Sequence, residues 1–393
     1  MAAVNDSPRL EEIGVDRNTT DCEPAIRAVL DRRRARKRSG DYHPRSEDEI
    51  ESRLNAFLAT EASGARVSSL QRMGGGASKE QFSFTISDDD QYAGRYVLRM
   101  EPVQSISESD RRREFEILVA FAGVVPAPVP VWLDADGDRL GQPAAIMRFV
   151  GGVTKPRGNG VTVTGLGTVL GAELRALIGP QFIDHMAAIH NLDWRAAHLP
   201  SFQSPDTDPY QAARWQVNWW AQVWKEDRVQ PIPIVALAER WMRENLPAVG
   251  DLVLVHGDYR TGNYLFDEPT GRITAILDWE LAHIGDFHED LAWALQHIFG
   301  SVEDGMHLAS GLYPRHDMIA RYEAASGRIV DLETLRFYEV LSAYKCIVMT
   351  LGTGLRSARD HHNHQDILLT WLAAVGHIFH SEICDLMERG ASR

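Results

Sequence analysis

Cysteine is scarce in this chain of 393 residues: it has Cys22, Cys346 and Cys384 and no others. They lie far apart, form no CxxC motif and are odd in number, so they cannot all pair within one chain. This pattern argues against a disulfide-based fold and favours a reducing compartment.

Long hydrophobic runs and clustered positive charge are also missing. No uncharged apolar run approaches the roughly 18 residues of a membrane-spanning helix, and residues 1–16 contain no apolar stretch of signal-peptide length. The chain has 41 Lys and Arg against 55 Asp and Glu, a net charge of −14, with one local basic run at 32–38. We therefore expect a soluble, cytoplasmic protein that binds neither a membrane nor the nucleic-acid backbone.

The length favours two lobes, because 393 residues exceed one ordinary core. We expect a partly ordered N-terminal extension at 1–45, a first lobe at 46–150 and a second lobe at 151–393. Ser46 and Glu49 form a capping-box pattern ahead of a helix predicted at 47–61. Apolar residues then recur at period two as far as Met100, which predicts an antiparallel meander.

Further strands at VPVWLD and AAIMRFVGG, with a helix at 111–121 before them, complete a small α+β lobe. Beyond Gly152 the apolar spacing is mostly helical. The strands LVLVHGD and ITAILDW, joined at DEPTG, are expected to pair as a hairpin between these helices. The predicted helices are 24–38, 174–190, 208–225, 234–244, 290–299, 332–351 and 367–388.

The segment 252–293 carries the chemistry. Asp258 and Asn263 stand five residues apart after one apolar strand, and Asp278 ends the next. Such an arrangement collects hard oxygen ligands at one point, and Mg²⁺ favours sites with one or two carboxylates plus waters and substrate phosphates. The spacing matches that of the protein-kinase catalytic loop and its metal-binding strand end.

The motifs HGDYRTGN and DWE resemble those of the aminoglycoside phosphotransferase and choline kinase superfamily. Within it, LDWELAHIGDFHEDLAW is similar to the branch whose kinase domain is fused to acyl-CoA dehydrogenases. The resemblance covers about residues 46–390. It implies an α+β, protein-kinase-like two-lobed fold. The small β-rich N-lobe at 46–150 is then expected to clamp the nucleotide, and the larger, mainly helical C-lobe at 151–393 is expected to be catalytic and acceptor-binding. It also implies Mg²⁺ and a nucleoside triphosphate, ATP or GTP, as phosphoryl donor.

Residue by residue, the resemblance implies that Asp258 is the catalytic base, with His256 organising the backbone before it. Arg260 occupies the place of a kinase Lys that touches the γ-phosphate. Asn263 and Asp278 are the implied metal ligands.

The nucleotide clamp is expected in the N-lobe. A glycine run lets backbone amides approach phosphates closely, although such a run between strands is more often only a turn. Arg99 in VLRM stands on the strand where protein kinases carry a phosphate-binding Lys. A guanidinium can bind phosphate through two parallel bonds. Glu114 is its expected partner, whereas Glu116 points to another face. The expected nucleotide-binding residues are Gly74, Gly75, Gly76, Ser78, Arg99, Glu114 and, at the lobe hinge, Met147.

Other features allow a plainer interpretation. Asp286 and Asp290 resemble residues that brace the catalytic loop, but they can equally be helix caps. The cluster HHNHQD at 361–366 is interpreted as a polar loop rather than a metal site. Further histidines and a tryptophan series have the spacing of packing residues, with acceptor contact as the lesser alternative for the tryptophans. They are His283, His288, His297, Trp215, Trp219, Trp220 and Trp224.

The sequence does not identify the molecule that accepts the phosphate. A small-molecule hydroxyl is expected, on an aminoglycoside-like antibiotic, a hydroxyacyl-CoA or another metabolite alcohol, and fold alone cannot choose among these. A nucleotide-binding pseudokinase or regulatory module is the alternative, disfavoured because Asp258, Asn263 and Asp278 are all present. A Ser/Thr protein kinase is disfavoured because the HRD, DFG and APE set is missing.

Overall fold

The fold was analysed in a computed structural model. It describes residues 21–36, 45–62, 64–74, 79–87, 91–102, 109–157, 166–360 and 366–388. Within these ranges no helix has the length and apolarity that crossing a bilayer requires.

Two helices precede the first sheet: α1 (Pro24–Arg36) and α2 (Glu47–Glu61). The side chain of Ser46 accepts the backbone N–H of Glu49, which caps α2 as the sequence predicts. Helix α2 packs on the small-lobe core through Ile50, Leu54 and neighbouring apolar side chains.

The small lobe, which corresponds to the predicted N-lobe, contains one antiparallel sheet of five strands in the order β1-β2-β3-β5-β4. The central strand β3 lies between β2 and β5, so Arg99 pairs with Gln81 on one side and with Ala145 on the other. A helix, α3, connects β3 to β4 and packs beside the sheet. The elements are β1 (Val67–Arg72), β2 (Glu80–Ile86), β3 (Gly94–Met100), α3 (Arg111–Ala120), β4 (Pro130–Asp134) and β5 (Ala144–Arg148).

The chain passes from the small lobe into the large lobe at Gly152 and Val153, where backbone hydrogen bonds hold it. Val153 exchanges both backbone hydrogen bonds with Phe266, at 2.9 and 3.0 Å. Gly152 has φ +146, and a Cβ there would lie 2.8 Å from the Thr274 hydroxyl and 2.9 Å from the Leu265 Cβ. The close approach explains the second glycine of the predicted hinge.

In its described residues, the large lobe combines helices with three two-stranded sheets. A π-helical turn, Val348–Gly354, continues the long helix α9. In chain order the elements are α4 (Gly171–His190), α5 (Gln211–Asp227), α6 (Pro233–Glu244), β6 (Val253–Val255), β7 (Tyr264–Asp267), β8 (Arg272–Ile276), β9 (His283–Gly285), α7 (His288–Ala294), β10 (Ser301–Glu303), β11 (Met306–Leu308), α8 (Arg315–Ser326), α9 (Leu332–Ile347), α10 (Leu355–Asp360), α11 (Asp366–Val375) and α12 (Ile378–Glu388).

The expected hairpin between LVLVHGD and ITAILDW is wrong. Strand β8 pairs with β7, and β6 pairs with β9, both antiparallel. The intervening YLFD segment is itself a strand, so the nearest partner of β8 along the chain is β7. Helix α8 and the β10–β11 hairpin were not predicted, and the helix expected at 367–388 is divided into α11 and α12.

Candidate active site

The loop after β6 is held by a buried histidine. The Nε2 atom of His256 lies 3.0 Å from the carbonyl oxygen of Leu277, and its Nδ1 accepts the backbone N–H of Asp258 at 3.2 Å. These bonds assign the proton to Nε2. Burial lowers the pKa of His256, which keeps the ring neutral. The predicted organising residue therefore joins the loop to the end of β8.

Asp290 braces the same loop from α7. Its carboxylate accepts the backbone N–H groups of His256 and Gly257 at 2.7 and 2.8 Å, and His190 Nε2 lies 3.0 Å away. Burial alone would raise the pKa of Asp290, but the bond from His190 and the other donors lower it. Asp286 instead accepts the backbone N–H of His288, the first residue of α7, but the N-cap residue of that helix is Phe287.

Asp258 is partly open to solvent and held by two donors. Trp293 Nε1 donates to its Oδ1 at 2.6 Å, and Arg260 Nε lies 3.0 Å from the same oxygen. The side chain of Asp258 is 20% exposed. Burial raises the pKa of the carboxyl and Arg260 opposes that rise. Both donors therefore reach the same oxygen, Oδ1.

Asn263 and Asp278 lie on either side of this loop. The side-chain amide nitrogen of Asn263 donates to the backbone carbonyl of Asp258 at 2.9 Å. The backbone carbonyl of Asn263 accepts the N–H of Leu277 at 2.8 Å. Asp278 has φ +61 and ψ +51, a left-handed conformation that Asp tolerates better than most residues. The next residue begins a 3₁₀ turn, Trp279–Leu281.

Arg99 reaches across from the small-lobe sheet. Its Nη1 lies 3.1 Å from Glu114 on α3, and its Nη2 lies 2.6 Å from Asp278. Burial would lower the pKa of the Arg99 guanidinium, but Glu114 and Asp278 outweigh burial and raise it. The expected partner of Arg99 is thus in place. Glu116 accepts the N–H and hydroxyl of Ser201 instead.

Sequence reasoning missed a buried ionic cluster behind Arg99. Lys79, with no exposed side-chain surface, lies 2.9 Å from Glu101 and 3.2 Å from Glu280. Arg111 lies 2.7 Å from Glu101 and also pairs with Glu114. Glu280 follows Asp278 by two residues, so Lys79 connects the small lobe to the segment that carries Asp278. Two signals for this cluster were available in the sequence. Lys79 lies close after the glycine run, and Glu280 is the third residue of the DWE motif.

The remaining clamp residues are less informative. Gly74 follows β1 and is exposed, while Met147 is buried in β5 and pairs with Val97. Gly75, Gly76 and Ser78, and five residues of the histidine cluster at 361–365, lie outside the described residues.

The tryptophan series of α5 is buried, with exposures of 2 to 8%. Trp220 faces Lys345, whose Nζ lies 5.4 Å from that ring and 4.7 Å from the Trp293 ring. His283 pairs with Glu289 at 3.1 Å, and Lys345 completes this group at 2.9 Å from Glu289. In the described part of the chain no group of three or more His, Cys, Asp or Glu side chains is placed to hold a metal ion.

The profile of the phosphotransferase enzyme family matches residues 69–338. Mouse acyl-CoA dehydrogenase family member 10 is 27% identical over 252 residues, which cover 63% of this chain and only 22% of that protein. The chain thus spans about a fifth of the length of that relative.

Among the solved structures that share the fold are the following two. A protein from Ralstonia eutropha JMP134, proposed to be an aminoglycoside phosphotransferase, superposes with a TM-score of 0.64 at 21% identity, covering 86% of this chain and 98% of that one. A thermostable mutant of aminoglycoside phosphotransferase APH(4)-Ia, with ADP and hygromycin B, gives 0.54 at 19% identity, covering 84% and 98%. The expected two-lobed α+β fold is confirmed. The chain therefore belongs to the phosphotransferase enzyme family.

Proposed function

We propose that this protein moves the γ-phosphate of ATP or GTP to a hydroxyl group of a small molecule, in a magnesium-dependent reaction. One observation carries the proposal: Asp258, Asn263 and Asp278 are joined into one unit, and Arg99 reaches that unit from the small lobe. The 2.8 Å bond from Leu277 to Asn263 and the 2.6 Å contact of Arg99 with Asp278 make this unit.

Asp258 would orient the acceptor hydroxyl and take its proton. Trp293 and Arg260 fix the carboxylate through Oδ1 and leave Oδ2 for this task. The Arg260 guanidinium also lies 4.6 Å from the Phe299 ring centre, which holds it beside the loop. From there it can approach a transferring phosphoryl group, whose negative charge cationic groups stabilise.

Asn263 and Asp278 would hold Mg²⁺. Their amide and carboxylate oxygens are the hard ligands this ion takes, and its preference for few protein ligands fits the pair. When bound, the ion would offset the charge of the β- and γ-phosphates. Asp278 now pairs with Arg99, and we expect that pairing to loosen when phosphates offer Arg99 a second acceptor.

The donor is supported by the ADP in the similar APH(4)-Ia structure. The acceptor is a proposal of class only: an aminoglycoside-like antibiotic, in line with hygromycin B in that structure, a hydroxyacyl-CoA, in line with the dehydrogenase-named relative, or another metabolite alcohol. A panel of these classes, assayed with ATP and with GTP, would identify both substrates.

Two variants test the proposal. Asp258→Ala should keep MgATP affinity near that of the wild type while kcat falls by about 10² or more, because a general base is lost. Asp278→Ala should weaken nucleotide binding and its dependence on Mg²⁺ together. Titration calorimetry with ATP, with and without Mg²⁺, separates the two, and Asp317→Ala on α8 removes an exposed carboxylate as the control.

Unchanged phosphotransfer by Asp258→Ala would refute the assignment of the base. MgATP binding without transfer to any acceptor would instead favour the pseudokinase alternative. If the wild type does not bind a nucleotide in a metal-dependent way, both the phosphotransferase proposal and the pseudokinase alternative are refuted.

A further inference from the structure

The helix α1 and the residues just before it lie across both lobes. Their apolar side chains are buried: Ile26 is 4% exposed and Leu30 2%, and both belong to the hydrophobic core that contains Ile117 and Leu118 of α3. We call residues 21–36 the N-terminal strap. Such burial shows that the strap is part of the folded body.

One end of the strap is fixed to the large lobe. The Asp21 carboxylate accepts from Trp215 Nε1 at 2.9 Å and pairs with Arg214 at 2.7 Å, both on α5. Farther along, Arg33 pairs with the buried Asp227 at the end of α5.

The strap also holds α3. Glu23, 4% exposed, contacts the Arg113 guanidinium through both oxygens, at 2.5 and 3.1 Å. Glu23 Oε1 additionally accepts the Gln203 N–H at 3.0 Å. Arg32 pairs at 2.7 Å with Asp110, the residue that caps α3. Two acidic–basic contacts therefore fix the first turn of α3 to the strap.

Arg113 stands next to Glu114, the residue that holds Arg99. The same Arg113 guanidinium donates to the carbonyl of Ala282 at 3.1 Å, just after the Trp279–Leu281 turn that follows Asp278. A buried guanidinium bonded on several sides has little freedom to move. Its position sets where α3 presents Glu114.

We infer that the N-terminal strap is a positioning element for the nucleotide site, with Glu23 acting through Arg113 to place Glu114 and hence Arg99. The inference rests on the proposed function, since it assigns Arg99 to the nucleotide. The strap itself, residues 21–36, lies outside the segment 69–338 that matches the family profile.

Glu23→Gln tests the inference because it keeps the shape of the side chain and removes its charge. We expect the Kd for MgATP, measured by calorimetry below the melting temperature, to rise roughly 3- to 30-fold, the range that coupling through packed networks produces. Arg34→Ala is the matched control: Arg34 is 47% exposed on the same helix and pairs with Glu226 and Asp31, not with α3. Its Kd should match that of the wild type.

A double-mutant cycle shows whether Glu23 acts through Glu114. In a Glu114→Gln background, Glu23→Gln should change the Kd for MgATP little further, since the residue it positions is already disabled. Additive losses would overturn this route. A Glu23→Gln protein with a lower Tm but the wild-type Kd would show a merely structural strap and would also overturn it.

If Glu23→Gln does not fold, Glu23→Asp decides, because it keeps the charge but is too short to maintain both bonds to Arg113. A Kd raised relative to Arg34→Ala supports the inference, and an equal Kd overturns it. Failure of the wild type to bind MgATP would overturn the proposed function instead, so the two failures are distinguishable.

Discussion

Gly257, between His256 and Asp258, has a backbone conformation that few other residues accept. Its φ is +83, and a Cβ there would lie 2.6 Å from the Leu281 carbonyl oxygen. Gly257→Ala should therefore lose most activity and about 1–3 kcal/mol of stability, the cost of forcing a side chain into this region. Thermal unfolding and turnover measure both. Gly250→Ala, where a Cβ meets nothing within 4 Å, should change neither.

The pKa of Asp258 predicts the acid limb of activity. Since burial raises this pKa, the carboxyl stays protonated to a higher pH than an ordinary aspartic acid, and activity should fall as the pH drops through the raised value. Arg260 opposes the rise, so Arg260→Ala should move the acid limb to higher pH and Arg260→Lys should move it less. Profiles of kcat/KM against pH test this order, and identical limbs would contradict it.

Arg99 uses two different nitrogens for its two partners, Glu114 and Asp278. Arg99→Ala should weaken nucleotide binding strongly, and Arg99→Lys should restore it only in part, because one ammonium nitrogen cannot occupy both positions that the two guanidinium nitrogens occupy. The Kd for MgATP of each variant decides. Wild-type affinity in either would make Arg99 a strand residue without a role at the nucleotide.

At the scale of elements, local patterns were sufficient where local forces decide. The α2 helix follows from its cap at Ser46, and β2 and β3 follow from alternation of apolar residues. Strand pairing did not follow, because β6 bonds to β9 across the whole β7–β8 hairpin. Sequence spacing carries no signal for such a contact.

The site shows the same limit. Asp258, Asn263 and Asp278 could be predicted as site residues because their spacing is a motif, and their roles stay a prediction. Lys79 was missed, since its partners Glu101 and Glu280 come from distant parts of the chain. The pairing of Glu23 with Arg113 likewise joins residues 90 positions apart.

Lys79 therefore offers a test at the element scale. Lys79→Met keeps the length of the side chain but leaves Glu280 without this cation, which should cost roughly 3–5 kcal/mol of stability, as for other broken buried pairs. Denaturant unfolding measures the loss. Arg53→Met removes an exposed partner of Glu49 on α2 and should cost about 0.5 kcal/mol or less. Similar losses in both would contradict a special place for Lys79.

At the scale of the whole molecule, buried charge connects several elements of the large lobe to the loop that carries Asp258. Glu289 of α7 contacts His283 of β9 and Lys345 of α9, and Lys345 Nζ lies 3.3 Å from the Gly257 carbonyl oxygen. Burial alone would raise the pKa of Glu289, but Lys345 and His283 outweigh it and bring it to about 2, against an ordinary value of 4.5. Stability should therefore depend on pH.

The direction follows from proton binding. Between pH 4.5 and about 2 the unfolded chain binds a proton at Glu289 and the folded one does not, so its contribution is complete above pH 4.5 and is lost as the pH falls toward 2. Glu289→Gln should lose roughly 3–5 kcal/mol at pH 7, where Lys345 is left buried without its carboxylate. The difference in the free energy of unfolding between Glu289→Gln and the wild type should become smaller as the pH falls. Glu244→Gln, 58% exposed on α6, is the control and should follow the wild type throughout. Denaturant unfolding from pH 7 to pH 3 tests this, and a gap of constant size would show that Glu289 does not titrate as its contacts require.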